Sequence, residues 1–341
     1  MVTKIGLDLG YANITISDVT AGIYREPSVA LVNKNTRAVI SVGNAAVSGE
    51  GSDNPDGMLV RPFKNGLLFD SKITQGIINS AVSAVLPAEK LRCVVGVPCD
   101  FHAKQEKELF GLLSEAGVNE CFSVSRSVAA LIGAGYSPGI SAISVNIGAS
   151  STEISVLRGG AVILSGRAMV GGEEFDKAVK QYIYDQGDVN VSLSVARAIK
   201  EKLGAVWHGR ENASIDIEGT LSLTGNRVKM TITTEDIVGV FEKPLHAVLS
   251  AVADVVKKIP YELVEEIFEN GIVLTGGGAD LFGIETMIEK VLGVSVTKPK
   301  DAIDCVAKGL SRVNNIIPAR VRAGNKNVTD TLFKYYEDKN K

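Results

Sequence analysis

The chain is short of the residues that mark several common protein classes. Its 341 residues include four cysteines and three histidines. Cys93, Cys99, Cys121 and Cys305 are scattered with no CxxC pair, which excludes a disulfide framework and the usual zinc-binding spacings. Cys93, Cys121 and Cys305 stand in apolar contexts and read as reduced core thiols of a cytoplasmic protein. No uninterrupted apolar run reaches the roughly 18 residues that span a bilayer. Met1-Val2-Thr3-Lys4 leads directly into a strand pattern, without the features of a targeting peptide. An excess of one charge is missing too: 36 Lys and Arg face 39 Asp and Glu, so no basic footprint for nucleic acid is present. What is left describes a soluble globular protein. At 45% hydrophobic residues it can bury two cores, and its length suits about two domains.

Glycine is plentiful, and its placement is the strongest signal. An apolar strand ending in Ile5-Gly6-Leu7-Asp8-Leu9-Gly10 turns through Tyr11-Ala12-Asn13 into an alternating strand, Ile14-Thr15-Ile16. Val145-Asn146-Ile147-Gly148 turns through Ala149-Ser150-Ser151-Thr152 into Glu153-Ile154-Ser155-Val156 in the same way. Glycine at such a tip allows close backbone approach, and successive N–H groups then form an anion-binding concavity. Either hairpin alone is an ordinary glycine turn. Two of them half a molecule apart are what a nucleoside triphosphate held between two halves requires. A third segment, Gly271-Ile272-Val273-Leu274-Thr275-Gly276-Gly277-Gly278-Ala279-Asp280, runs from a buried strand into three glycines, with a helical pattern expected over 281–292. A helix N-terminus there would offer free N–H groups to a flat or anionic ligand.

Together these segments resemble the actin superfamily, and within it the bacterial actin-like proteins of the MreB type. Further segments carry the resemblance along nearly the whole chain: Glu26-Pro27-Ser28-Val29-Ala30, Val42-Gly43-Asn44-Ala45-Ala46, Arg61-Pro62-Phe63-Lys64-Asn65-Gly66, Val95-Gly96-Val97-Pro98, Val170-Gly171-Gly172-Glu173-Glu174-Phe175-Asp176, Ile199-Lys200-Glu201-Lys202-Leu203-Gly204 and Asp304-Cys305-Val306-Ala307-Lys308-Gly309. The resemblance implies an α/β actin-like ATPase fold, with two similar domains around a nucleotide cleft and a smaller insert in each. It implies that Asp8 to Asn13 (with Gly10, Tyr11 and Ala12) and Asn146 to Thr152 (with Gly148, Ala149, Ser150 and Ser151) grip the phosphates of ATP or ADP. Asp8 would be a water-mediated partner of Mg2+, an ion that keeps most of its waters. Gly172 and Glu173 would join the nucleotide site, as would Lys200 and Glu201 beside the adenine and ribose. Gly276, Gly277, Gly278 and Ala279 would form the adenosine ledge. On residue type alone Lys200 and Glu201 are a solvated helix face, so that assignment rests on the resemblance.

Two departures bear on catalysis. Where the family pattern has the Glu that orients the attacking water, in Glu-Glu-Pro-Met-Ala-Ala-Ala, this chain reads Ser125-Arg126-Ser127-Val128-Ala129-Ala130-Leu131. Arginine has no acceptor lone pair and cannot position or deprotonate water. The second hairpin's usual Asp is Asn146, which removes an anionic partner of the metal. Arg126, Asn146 and Thr152 therefore make up a substituted catalytic position. Arg126 is expected to pair with a γ-phosphate and hydrolysis to be slow or absent; an arginine-finger role and a surface ion pair pointing away from the site are the alternatives.

The organisation expected is a first domain over 1–140 with an insert at about 26–70, a second over 141–315 with an insert at about 177–234, and a basic tail over 316–341. The elements expected are helices over 73–85, 103–116 and 235–258, strands over 92–96, 120–124 and 271–274, and a hairpin around Gly225-Asn226 in the second insert. In the tail, Gly324-Asn325 is read as a break before a short helix carrying Leu332, Phe333, Tyr335 and Tyr336 that packs on the first domain. The resemblance implies self-assembly head to tail into filaments, closure of the cleft being driven by nucleotide. An adaptor or membrane-associated partner is expected. Direct membrane binding is not, because the loop 86–91 is short and half polar and no amphipathic N-terminal helix is read. The competing readings are a non-polymerising kinase-like or chaperone-like member of the superfamily and a regulatory subunit of another actin-like filament.

Overall fold

The computed structural model describes residues 2–18, 22–49, 55–64, 67–68, 70–84, 90–318, 321 and 326–340. Two sheets built to one plan organise these residues. Each begins as an antiparallel meander and continues as parallel strands. The first meander is Val2–Leu9, Asn13–Asp18 and Gly22–Pro27; the second is Ala142–Ile147, Thr152–Arg158 and Ala161–Ala168. Lys90–Val97 and Glu120–Ser125 extend the first sheet, and Ile272–Thr275 and Val296–Thr297 extend the second. Leu91 to Val97 are buried without a break, as a strand covered on both faces requires. The plan fixes equivalences between the halves. Asp8 lies opposite Thr15 and Asn146 opposite Glu153, each the last residue but one of its strand.

Two helices join the halves. Arg126–Gly133 leads from the first sheet to the second and is buried at every residue. Cys305–Ile316 returns from the second half and lies on Val2–Leu9 and Lys90–Val97. The two helices pack on each other through glycine. A Cβ on Gly133 would stand 1.7 Å from the Cys305 carbonyl oxygen, and one on Gly309 would stand 1.7 Å from that of Ala129. Buried Asn314 donates from Nδ2 to the carbonyls of Ile5 at 2.9 Å and Arg92 at 3.1 Å, tying its helix to the first sheet. Around these helices Val94, Phe122 and Val124 of the first sheet share one apolar cluster with Leu157 and Val273 of the second. Each half also has its own core, around Ile77 and Val95 in one and Phe175 and Val248 in the other.

Within 26–70, Val39–Val42, Ala30–Asn33 and Gly57–Val60 form a small separate sheet. Within 177–234, Ser214–Leu221 and Arg227–Thr233 form a hairpin whose turn holds Gly225 at φ +72°. The C-terminal stretch returns to the first half. Lys326–Asn327 pairs beside Glu120–Ser125, and the helix Leu332–Asn340 buries Leu332 and sets the Phe333 ring against Gly139. The break read at Gly324-Asn325 and most of the loop 86–91 lie outside the described residues.

Two helices differ from the periodicity. The pattern over 235–258 is not one helix but Thr234–Val238, a 3-10 turn Gly239–Phe241, and Glu242–Val256. Pro244 is the reason, since a residue without an N–H fits the first turn of a new helix better than the interior of an old one. The helix expected over 281–292 starts at Ile284, after Gly283 at φ +82°; Gly277–Asp280 is a 3-10 turn.

Candidate functional site

The hairpin tips are closed by the same bond. The Gly10 N–H donates to the Asn13 carbonyl at 3.0 Å, and the Gly148 N–H donates to that of Ser151 at 2.9 Å. Both tips line one cavity of about 470 Å³, to which Asp8, Tyr11 and Ala12 of one half and Asn146, Ala149 and Ser150 of the other contribute. Gly276, Gly277 and Gly278 supply a third wall. Gly276 takes φ +85°, and a Cβ there would meet Asn146 Oδ1 at 2.3 Å. A Cβ on Gly278 would meet Ile147 Cγ2 at 2.2 Å. Glycine is thus required for this turn to lie against the second hairpin. Its N–H groups belong to a 3-10 turn rather than to the α-helix N-terminus expected from the sequence.

Arg126 lies on the floor of this cavity with its side chain only 10% exposed. Its Nε donates to Asp8 Oδ1 at 3.1 Å, Nη1 to Glu153 Oε1 at 3.1 Å, and Nη2 to the Leu9 carbonyl at 2.7 Å. Burial opposes the charge, yet Glu153 and Asp8 hold the guanidinium's pKa above its ordinary value. Glu153 stands 3.7 Å from Arg167, which in turn pairs with Asp100 at 2.5 Å. The guanidinium expected at a γ-phosphate is thus held by two carboxylates and a carbonyl of the protein itself.

A second charged group forms the wall near Gly172. The Lys200 Nζ lies 2.6 Å from Asp176 Oδ1 and donates to the Gly172 carbonyl at 3.0 Å. Asp176 is 1% exposed and also accepts from Arg197 Nε at 3.2 Å. One turn of helix separates Arg197 from Lys200 and brings both cations to one carboxylate. Glu201 lines the cavity from an exposed position. Across the cleft, the Arg61 guanidinium lies over the Tyr11 ring at 5.3 Å and donates to the Tyr11 and Ala12 carbonyls at 3.0 and 3.1 Å, which fixes the first tip. Burial and a hydrogen bond to Glu173 push the Tyr11 hydroxyl's pKa up to about 12.

Most residues singled out from the sequence come together here: Asp8, Gly10, Asn13, Arg126, Asn146, Gly148, Ser151, Gly172, Lys200 and Glu201 join those already named in the cavity lining. Thr152, Glu173 and Ala279 do not line it. Thr152 is fully buried and donates its hydroxyl to the Val170 carbonyl at 2.8 Å. Glu173 stands behind Tyr11, and Ala279 is buried below the glycine ledge. The sequence reading missed Glu153, Arg25, Arg197 and Asp280 in the lining and Asp176 and Arg61 behind it. Signals existed for two of them. Asp176 follows Gly172 by one helical turn, and Arg197 precedes Lys200 by three residues.

The acidic groups at this floor do not fit a divalent cation well. Asp8 turns Oδ1 to Arg126, Asn146 carries no charge, and Glu153 faces two guanidinium groups. Magnesium favours carboxylate and phosphate oxygens around its retained waters. Among the described residues there is no group of three or more His, Cys, Asp or Glu side chains placed to hold a metal.

Known proteins share this architecture. The family model described as MreB/Mbl protein matches residues 2–320. The cell shape-determining protein Mbl of Bacillus cereus is 29% identical over 312 residues, covering 89% of this chain and 93% of its own. The cell shape-determining protein MreB of Escherichia coli is 28% identical, covering 89% and 91%. Among solved structures, MreB5 of Spiroplasma citri bound to ADP superposes with a TM-score of 0.85 at 23% identity, over 91% of this chain and 95% of that one. A MamK double helical filament superposes with a TM-score of 0.80 at 21% identity, over 93% and 100%. The fold is actin-like, and the chain belongs to the MreB/Mbl family.

Proposed function

We propose that this actin-like cytoskeletal protein binds ADP or ATP between its two glycine hairpins, assembles head to tail into filaments, and hydrolyses ATP slowly or not at all. The observation that carries the reading is the pair of identically closed tips at Gly10 and Gly148 on one cavity, walled on a third side by Gly276 to Gly278. Tips from both halves would face the phosphates, and the ledge with Lys200 and Glu201 would face the nucleoside. A ligand touching both halves favours whichever arrangement gives it the most contacts, which is how nucleotide would bias assembly. Slow hydrolysis follows from Arg126, a donor-only group where a water-positioning carboxylate would serve.

The curated relatives are named for determining cell shape and MamK for its filament, and roles of both kinds suit this reading. Self-association is the partner relationship proposed, with an adaptor linking the filament to its place of work in the cytoplasm. Among the described residues no helix is long and apolar enough to cross a membrane.

Sedimentation and negative-stain microscopy with ATP, with a non-hydrolysable analogue and without nucleotide, while phosphate release is followed, tests the proposal. Filaments with either triphosphate and little phosphate released are expected. No polymer under any condition, or transfer of phosphate to a small acceptor, overturns it.

A further inference from the structure

The charges at the cavity floor lead beyond that reading, on which the following inference rests. In the MreB-type pattern, positions 8, 126 and 146 carry three carboxylates. Here they are Asp8, Arg126 and Asn146, which together carry no net charge. The change is structural as well as formal. Arg126 is not turned to solvent but fixed between Asp8 and Glu153, one from each hairpin, with the Leu9 carbonyl as third acceptor. Counted with Glu153, the floor sets two carboxylates against one guanidinium, which therefore stands where a cation is needed to offset the hairpin carboxylates that an incoming polyphosphate would meet. A divalent ion held by Asp8 would share that carboxylate with a guanidinium 3.1 Å from it, and the two like charges would repel. The ordinary function of the metal is to neutralise phosphate oxygens. A buried arginine, charged at any working pH, permanently offsets the floor carboxylates that would otherwise repel those oxygens.

We infer that nucleotide binding by this protein does not depend on a divalent cation, because Arg126 is a built-in counter-cation at the floor of the cleft. Asp8 and Glu153 hold it in place, and Asn146 keeps the second tip from restoring a metal site.

The test is equilibrium binding of ADP and ATP to the full chain in magnesium and in excess EDTA, for the parent, Arg126→Gln and Asn146→Asp. The parent is expected to lose less than about fivefold in affinity when magnesium is removed, a small step on a scale where about 1.4 kcal/mol is tenfold. Arg126→Gln is expected to lose about tenfold or more in the same comparison. Should Arg126→Gln fail to fold by circular dichroism, Asn146→Asp provides the comparison, since it adds an anion at the tip without touching the buried pairs. It is expected to bind more tightly with magnesium than with EDTA by a larger ratio than the parent. A parent that loses more than about fivefold in EDTA overturns the inference and leaves the nucleotide reading intact. Equal magnesium dependence in parent and folded variants also overturns it. Binding of neither nucleotide in either medium removes both.

Discussion

The Arg126 Nη1 lies 3.1 Å from Glu153 Oε1, and this contact joins the helix that ends the first half to the hairpin that opens the second. It is the second link of an alternating series, Asp8, Arg126, Glu153, Arg167 and Asp100, that leaves the first half, enters the second and returns. Arg126 and Glu153 are both buried, so neither charge can be relieved by water if the other is removed.

Arg126→Met should therefore destabilise the fold by about 3–5 kcal/mol, the usual cost of leaving a buried charge without its partner. Adding Glu153→Met should return part of that loss, because the carboxylate left with only the longer Arg167 contact goes too. Urea unfolding of the two single variants and the double variant measures both effects; strict additivity would mean that the two side chains are not coupled.

The glycine crossing of the two joining helices is expected to tolerate no side chain. Gly309→Ala or Gly133→Ala would put a methyl against a backbone carbonyl at 1.7 Å. Ordinary overpacking costs about 1–3 kcal/mol, and these should exceed it because backbone cannot swing aside. Gly111→Ala is the control: it lies in the helix Ala103–Glu115 with nothing near its Cβ position. That change should stabilise by about 0.5–1 kcal/mol. Thermal melts separate the two classes.

Hydrolysis should respond to restoring the carboxylates. Arg126→Glu with Asn146→Asp returns carboxylates to the two departures from the family pattern, and phosphate release should rise above the parent's. If the double variant folds and binds nucleotide yet releases phosphate no faster, those residues are not what limits the rate.

Acid should weaken the contact between the first hairpin and the helix Gly172–Gly187. Burial opposes ionisation of Glu173, but hydrogen bonds from Tyr11 and Lys177 hold its pKa below the ordinary 4.5. A carboxyl depressed on folding stabilises the folded state above its unfolded pKa, and that contribution is lost as the pH falls through the lower folded value. Glu173→Gln should accordingly melt lower than the parent near neutrality, and the gap should close as the pH drops below about 4.5. A gap that stays constant down to strong acid would remove Glu173 from the contact.

Much of the site was legible before any coordinates. The two hairpins and the triple glycine are local patterns, because a turn's geometry is dictated by the few residues in it. Their repetition half a chain apart anticipated the two-sheet plan, and short apolar runs located three of the parallel strands, at 92–96, 120–124 and 271–274, to within a few residues. Where the local pattern was mixed, periodicity overran the true ends, as at Pro244 and Gly283.

Partnerships between side chains 27 to 118 residues apart were not legible. The sequence by itself determined that residue 126 is an arginine and so cannot serve as a base. Only the tertiary structure decided that this arginine is buried and spoken for by Asp8, Leu9 and Glu153 rather than waiting for a phosphate. Likewise Lys200 looked like a surface lysine until packing brought Asp176 to it and to Arg197 of the same helix. A side chain's chemistry is carried by its own atoms, but its charge balance depends on which distant carboxylates the fold brings within about 4 Å, where Coulomb interaction outweighs solvent screening.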